Sequence, residues 1–388
     1  MQKHWLNSFA YLSSQIINVV IPLIIYRYLF TSSNSLQNFA DLAVSITVVS
    51  ALKQIVDWGF TTRGIALLNK GWLKQYKTID QFYTIYSARL VIATLVVLVY
   101  LFFAKNVWEL LFIFLSVFNP NMFIHNLLLS RWINVANMLE KFLFLGLILY
   151  YVNNQIYELY FLFLFIAQLS SYLFLNFIVI YRLKSLSSNN VYTKRAITSQ
   201  FPYMIQNTGN IIYSNCLVPL LSAFSSSGLT LSYFGAEKII KAVQIISNSC
   251  VVAVGPMMQD VDSVRFKKIL TTLVISLGVI PMIFICLHTQ LIWNVVYGNN
   301  IQSINVNVIR IISISLVSSM LFSITTNYFF DVKASVVSTI IFGTAILALL
   351  FFVISDLTYW YMIWTVFLVE LSLLCFGLFS LINGTKIR

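Results

Sequence analysis

Between Tyr233 and Pro256 runs an apolar stretch with the length of a membrane helix, yet it carries Glu237, Lys238 and Lys241. On a helix of 3.6 residues per turn, Glu237, Lys241, Gln244 and Asn248 fall on one face. A charge near the bilayer centre costs about 2.5–3.5 kcal/mol on insertion scales, so this face is expected to turn toward a protein interior or a water-filled cavity. It can serve as a structural seam in which Glu237 and Lys241 pair at i,i+4, or it can hold an ionic cargo. Three charges and two amides exceed what helix packing ordinarily needs, and the cargo role is the expectation.

Other polar residues interrupt apolar runs elsewhere. Asn7, Tyr11, Ser14 and Asn18 share a face of the first run, and Tyr203, Asn207, Asn210 and Ser214 share a face of the seventh. Ser50, Lys53 and Asp57 form a stripe at the end of the second, with Arg63 just beyond. Arg310 lies nine residues from the end of its run, or about 13 Å deep at the helical rise, with Glu370 at comparable depth in the last run and Arg27 near the outer mouth. Lys53, Arg89, Lys141, Lys238, Lys241 and Arg310 stand within the runs against the acids Asp41, Glu140, Glu237 and Glu370, with Asp57 at a border. This basic excess favours an anionic cargo, for which the planar guanidinium fork suits phosphate. Local pairing is the competing use: Lys53 with Asp57, Lys141 with Glu140, Lys238 or Lys241 with Glu237. Arg89 and Lys141 are expected to snorkel, whereas Asp41, Asp57, Glu237 and Glu370 would either couple an ion or pair structurally.

No enzymatic pattern accompanies these residues. His4, His125 and His288 are scattered, and no Gly-rich phosphate loop is followed by Lys-Ser or Lys-Thr. The four cysteines lie in apolar runs without metal-ligand or disulfide-framework spacing. The reading is a non-enzyme, with no metal and no cofactor.

The elements that must carry these residues follow from composition. The 388 residues are 59% hydrophobic and 9% charged, with mean hydropathy +0.86; soluble domains carry about 25% charged residues. The chain therefore reads as an all-α polytopic membrane protein. Runs of about 20 residues, enough to span a bilayer, fall near 8–30, 36–56, 82–104, 107–128, 133–152, 157–181, 199–222, 230–255, 269–289, 301–325, 332–354 and 358–382. With both termini in the cytoplasm, these twelve spans place sixteen of the 24 Lys and Arg in inner segments, and only Arg27 and Lys105 in outer ones, as the positive-inside rule requires. The net charge of +12 is thus spent on membrane orientation and not on nucleic acid, which would need a basic patch on a soluble module.

An internal repeat divides the chain. Phe39-Ala40-Asp41 precedes Gly59 as Gly235-Ala236-Glu237 precedes Gly255, Ile21-Pro22-Leu23 answers Val218-Pro219-Leu220, and the polar faces of the first and seventh runs correspond at the same offset of about 196 residues. Two six-helix lobes related by a pseudo-two-fold axis are expected, residues 1–184 and 199–388, joined by a cytoplasmic linker at 185–198 rich in Ser and Asn.

Tyr233-Phe-Gly-Ala-Glu-Lys-Ile-Ile-Lys-Ala, ending near Gly255-Pro256, resembles the eighth-helix signature of bacterial O-antigen and polysaccharide flippases. Asp57-Trp58-Gly59-Phe60, followed by Arg63, is similar to the segment after the second helix in that family. Gly64-Ile65-Ala66 departs from the more polar run found there. The resemblance covers the whole chain and implies a member of the multidrug/oligosaccharidyl-lipid/polysaccharide exporter superfamily, MATE-like in fold, in the bacterial inner membrane. It implies a cargo of undecaprenyl-diphosphate-linked oligosaccharide carried from inner to outer leaflet by alternating access, in contact with membrane lipids and alongside a polysaccharide polymerase and chain-length regulator. On this reading Lys53 and Arg63 receive the diphosphate, Lys238, Lys241 and Arg310 hold it, Arg27 lies on the exit, and Asn7, Asn18, Asn207 and Asn210 face sugar hydroxyls. Dependence on membrane potential or on an H+ or Na+ gradient stays open, as do two alternatives, a drug/cation antiporter of the same fold and a membrane-embedded polysaccharide polymerase.

Overall fold

A computed structural model describes residues 2–32, 36–60, 77–126, 130–150, 156–183, 191–215, 217–258, 272–298, 305–328 and 359–384, with four isolated positions between 343 and 350. Nearly all of them are helical. In lipid every backbone N–H and C=O must be satisfied within the segment, which leaves the α-helix as the solution for these apolar runs. Successive helices are α1 (Gln2–Ser32), α2 (Leu36–Asp57), α3 (Thr78–Tyr100), α4 (Val107–Phe114), α5 (Asn121–Asn126), α6 (Ser130–Tyr150), α7 (Ile156–Leu183), α8 (Thr193–Asn215), α9 (Leu217–Phe224) and α10 (Ser227–Met258). They are followed by α11 (Ile280–Leu287), α12 (Thr289–Tyr297), α13 (Asn307–Ile312), α14 (Ser315–Tyr328) and α15 (Tyr359–Gly384). Among the described residues, five segments are long and apolar enough to cross a membrane, and a sixth is bent by 86° at the α11–α12 junction. The expected eleventh span, 332–354, lies almost wholly outside the described residues.

By packing, the chain forms two compact units, Ser45–Asn215 and Met1–Val44 with Cys216–Arg388. The chain crosses from one to the other twice, within α2 and at the end of α8.

In the Ser45–Asn215 unit, α6 packs on α7, α4 on α7, and α3 on both α4 and α8. Phe60, Ile85, Ala88, Met122, Phe123, Ile124, Val179 and Ala196 form its core. The turn between α3 and α4 is closed by Asn106, whose side chain accepts from the Glu109 N–H at 3.0 Å, an N-cap of the ordinary kind. Glu109 in turn accepts from the Tyr100 hydroxyl at 2.8 Å and the Lys105 N–H at 3.2 Å. The expected fourth span at 107–128 is not one helix. After α4 the chain tightens into a 3₁₀ turn, Leu115–Phe118, and Pro120 follows. Proline has no N–H to continue a helical ladder, so carbonyls are freed here and must find side-chain donors.

In the other unit, α10 packs against α1, α13 and α14, and α14 against α15. Phe234 on α10 meets Tyr26 edge-on at 5.5 Å between centroids and Phe39 at 6.2 Å. Phe30 meets Phe39 at 5.3 Å and Tyr297 at 5.4 Å. The hydroxyl of Tyr297 donates to the Gly235 carbonyl at 3.1 Å. Gly235 is required by this fit: a Cβ there would lie 2.6 Å from Trp293.

Candidate functional site

The aromatic cluster fixes the part of α10 from which Glu237, Lys238 and Lys241 emerge. Glu237 is buried, 6% exposed, and its Oε1 pairs with the Lys241 ammonium one turn on, as the i,i+4 spacing predicts. Its Oε2 is buried with no hydrogen-bond partner among the described residues. Lys241 keeps about a third of its side chain exposed, at 35%. Lys238, half-buried, lies over the Phe234 ring, 4.7 Å from its centroid, a cation–π contact that holds an ammonium without neutralising it.

Farther along α10, Gln244 on this face and Ser247 to one side of it hold helices together. Gln244 donates to the Ser315 carbonyl at 3.0 Å and to its hydroxyl at 3.1 Å. Ser247 donates to the Leu277 carbonyl at 2.9 Å, within a π turn at Ile275–Val279. Pro281, four residues after Leu277, has no N–H for that carbonyl, and the serine hydroxyl takes its place. Glu370 on α15 accepts from Ser318 on α14. The side chain of Asn248, the last member of the expected stripe, lies outside the described set; the other three divide into a charged part, Glu237 and Lys241, and a packing part, Gln244.

Asp41 accepts from Gln37 at 3.3 Å. Arg27 donates to the Val295 carbonyl at 2.6 Å near the end of α12. Arg310 is exposed and is tied down by three bonds. Its Nε donates to the Cys286 carbonyl at 3.2 Å and the Thr289 hydroxyl at 3.3 Å, and its Nη1 to Asn307 at 3.1 Å. It therefore caps the C-terminal end of α11 at the bend, where a cation is favoured by the helix dipole. The side-chain oxygen of Asn18 on α1 is buried without a partner. Asn7 lies on α1 and Asn207 and Asn210 on α8, with side chains outside the described set. Arg63 also lies outside the described residues.

In the Ser45–Asn215 unit, Lys53 and Asp57 do not pair with each other. Lys53 donates to Gln168 on α7 at 2.5 Å, and its ammonium sits 3.5 Å from the centroid of the Phe112 ring. Gln168 passes the chain on by donating to the Tyr172 hydroxyl at 2.9 Å. Asp57 is held instead by Arg89 at 2.5 Å. Arg89 corrects the snorkelling expectation, being 0% exposed. Its other guanidinium nitrogen donates at 2.5 Å to the Asn119 carbonyl, one of those freed at the break after α4. Asn176 does the same for the Phe118 carbonyl at 2.8 Å, and its side-chain oxygen accepts from the Tyr86 hydroxyl at 2.6 Å. Lys141, also expected to snorkel, pairs with its neighbour Glu140 at 2.8 Å.

Sequence reading missed Gln168, Tyr172 and Phe112 around Lys53, and Asn119 and Asn176 around Arg89. The one available sign was polar residues on apolar runs at i,i+4, as in Gln168 and Tyr172.

Three solved structures share the chain's fold along nearly its full length. A multidrug resistance MATE family transporter of the MOP superfamily in an inward-facing conformation aligns at 12% identity and TM-score 0.62, over 98% of this chain and 99% of its own. A Vibrio cholerae MATE transporter aligns at 11% identity and TM-score 0.58, over 100% and 97%. A eukaryotic MATE transporter aligns at 13% identity and TM-score 0.51, over 97% and 96%. No protein-family model matches the chain, and no curated protein matches it. The fold is that of MATE transporters.

Proposed function

We propose that this chain is a flippase that moves an undecaprenyl-diphosphate-linked oligosaccharide from the inner to the outer leaflet of the bacterial inner membrane. The observation that carries the reading is two ammonium groups on largely apolar helices, Lys53 on α2 and Lys238 on α10. Neither makes an ion pair among the described residues; each rests on an aromatic ring, and Lys53 adds a neutral amide. Positive charge without an ion pair is costly in such helices and is offset when an anion arrives. A diphosphate carries that charge, and the aromatic and amide neighbours suit its sugar. Lys53 and Arg63 receive the head group, and Lys238 and Lys241 hold it at mid-depth. Asn7, Asn18, Asn207 and Asn210 meet sugar hydroxyls, and Arg27 stands on the exit. Arg310, engaged by carbonyl and hydroxyl oxygens, supports the bend between α11 and α12. The fold shared with transporters supports a transport role, and the sequence signatures at Asp57–Phe60 and Tyr233–Ala242 support this cargo.

A second reading, an antiporter for cationic drugs, is favoured by the buried, half-satisfied carboxylate of Glu237 and by the multidrug transporter among the similar structures. Deleting the gene in its native strain separates the two. Loss of surface polysaccharide, with lipid-linked repeat units accumulating on the inner leaflet, is expected. Normal polysaccharide with altered drug tolerance overturns the flippase in favour of the antiporter.

A further inference from the structure

The two helices through which the chain crosses between its compact units, α2 and α8, are joined at one corner inside the Ser45–Asn215 unit. Trp58 follows the last residue of α2, and its indole N–H donates to the Ile197 carbonyl in the second turn of α8 at 3.2 Å. Its ring lies beside Phe201, one turn farther along α8, at 6.3 Å between centroids.

Trp58 has φ 52°, the one positive φ at a non-glycine residue among those described, and Gly59 follows at 77°. A bulky aromatic in this region is a true outlier. Such strain persists only where the surroundings over-determine it, and it gathers at switch regions. Here the surroundings are explicit. Asp57 is clamped by the fully buried Arg89, Arg89 is clamped by the Asn119 carbonyl, and its guanidinium lies 5.7 Å from the Phe60 ring centroid. Phe60 is itself 0% exposed.

The start of α8 is held differently. The Tyr192 N–H donates to Thr84 at 3.2 Å, and the Thr193 and Ser87 hydroxyls are bonded at 2.6 Å. Both bonds go to α3. The end of α2 and the start of α8 are thus each fixed to the same scaffold, and the strained residue between them grips α8 a turn beyond its anchor.

We propose that Asp57, Trp58 and Gly59 form a catch on the two connecting helices. When it is closed, Arg89 holds the end of α2 and Trp58 holds α8. When it opens, Trp58 leaves the left-handed region and gives up the Ile197 carbonyl, and α8 swings about its anchor at Thr84 and Ser87. The catch couples the end of α2 to the start of α8 within the Ser45–Asn215 unit whatever the cargo is.

Two measurements on the full-length chain test this. The first is amide exchange in nanodiscs, without cargo, comparing wild type with Trp58→Phe, which keeps the ring and drops the N–H donor. Amides 197–203 are expected to exchange at least fivefold faster, with those of 84–92 within twofold of wild type. Unchanged exchange in α8 overturns the catch, and so does equal loosening of α3, which would make Trp58 an ordinary packing residue. The second replaces Trp58 and Phe201 by Cys in a chain whose native cysteines are Ala, and bridges them with a short reducible bis-methanethiosulfonate. Flipping of undecaprenyl-diphosphate-linked oligosaccharide in proteoliposomes is expected to stop and to return on reduction; undiminished flipping of the bridged protein overturns the catch. If the cargo is wrong, wild type itself does not flip this lipid, and the exchange measurement decides alone.

Discussion

Glu237 and Lys241 show how one pair can be both a structural seam and a source of charge. The carboxylate is buried and the ammonium only partly so, so removing either partner has unequal consequences. Lys241→Ala leaves an unpaired buried carboxylate. It is expected to cost about 1–3 kcal/mol, less than for a fully buried pair because Lys241 reaches solvent. The double change Glu237→Gln with Lys241→Met removes both charges and is expected to cost less than the single one. Thermal unfolding in detergent reads the order; a double change costlier than the single one would mean that the pair does not carry this energy. Lys238, held by a ring and not by an acid, behaves differently: Lys238→Ala should leave the unfolding midpoint within about 2 °C, where a change of 1 kcal/mol shifts it by only a few degrees in a chain of this size. On the proposed function, the rate at which undecaprenyl-diphosphate-linked oligosaccharide reaches the outer leaflet of proteoliposomes should fall at least tenfold in this variant.

At the level of elements, the helices depend on contacts that their own sequences do not advertise. The approach of Trp293 to α10 needs the bare Cα of Gly235. Gly235→Ala is expected to destabilise by about 1–3 kcal/mol through overpacking, and by clearly less in a Trp293→Leu background. Equal penalties in both backgrounds would show that the indole is not the obstacle. The π turn before α11 supplies a second case. Ser247→Ala should cost about 1 kcal/mol, the usual net worth of one hydrogen bond. With Pro281→Ala, a backbone N–H becomes available to the Leu277 carbonyl, and the same serine change should become nearly silent. Broken helices of this kind persist in membranes only where side chains satisfy the freed carbonyls, as Arg89 and Asn176 do after α4.

For the molecule as a whole, the sign of the cargo is the decisive property. A head group of about two negative charges leaving the cytoplasm moves down an inside-negative potential, worth about 2.3 kcal/mol per charge per 100 mV. In proteoliposomes with a potassium diffusion potential, outward flipping of the diphosphate lipid is expected to accelerate when the side from which it departs is made negative, and to slow when the potential is reversed. A rate indifferent to the sign, or export of a cationic drug under the same conditions, would count against an anionic cargo.

The sequence by itself determined that the chain is a helical membrane protein, where most of its apolar runs lie, and that Glu237 and Lys241 share a face. These are local or compositional properties: helical period, run length and the cost of charge in lipid act within some twenty residues. It also carried the Asp57–Phe60 and Tyr233–Ala242 signatures. Tertiary structure alone decided the partners. Lys53 bonds Gln168 across 115 positions, Asp57 chooses Arg89 over Lys53, and Trp58 reaches Ile197 across 139. In an apolar helix every polar side chain seeks a partner, and several candidates are chemically equivalent. Which one is met depends on how helices distant in sequence pack, and that is fixed by the fit of residues such as Gly235, Trp293 and Phe60, whose types alone do not say what they will touch.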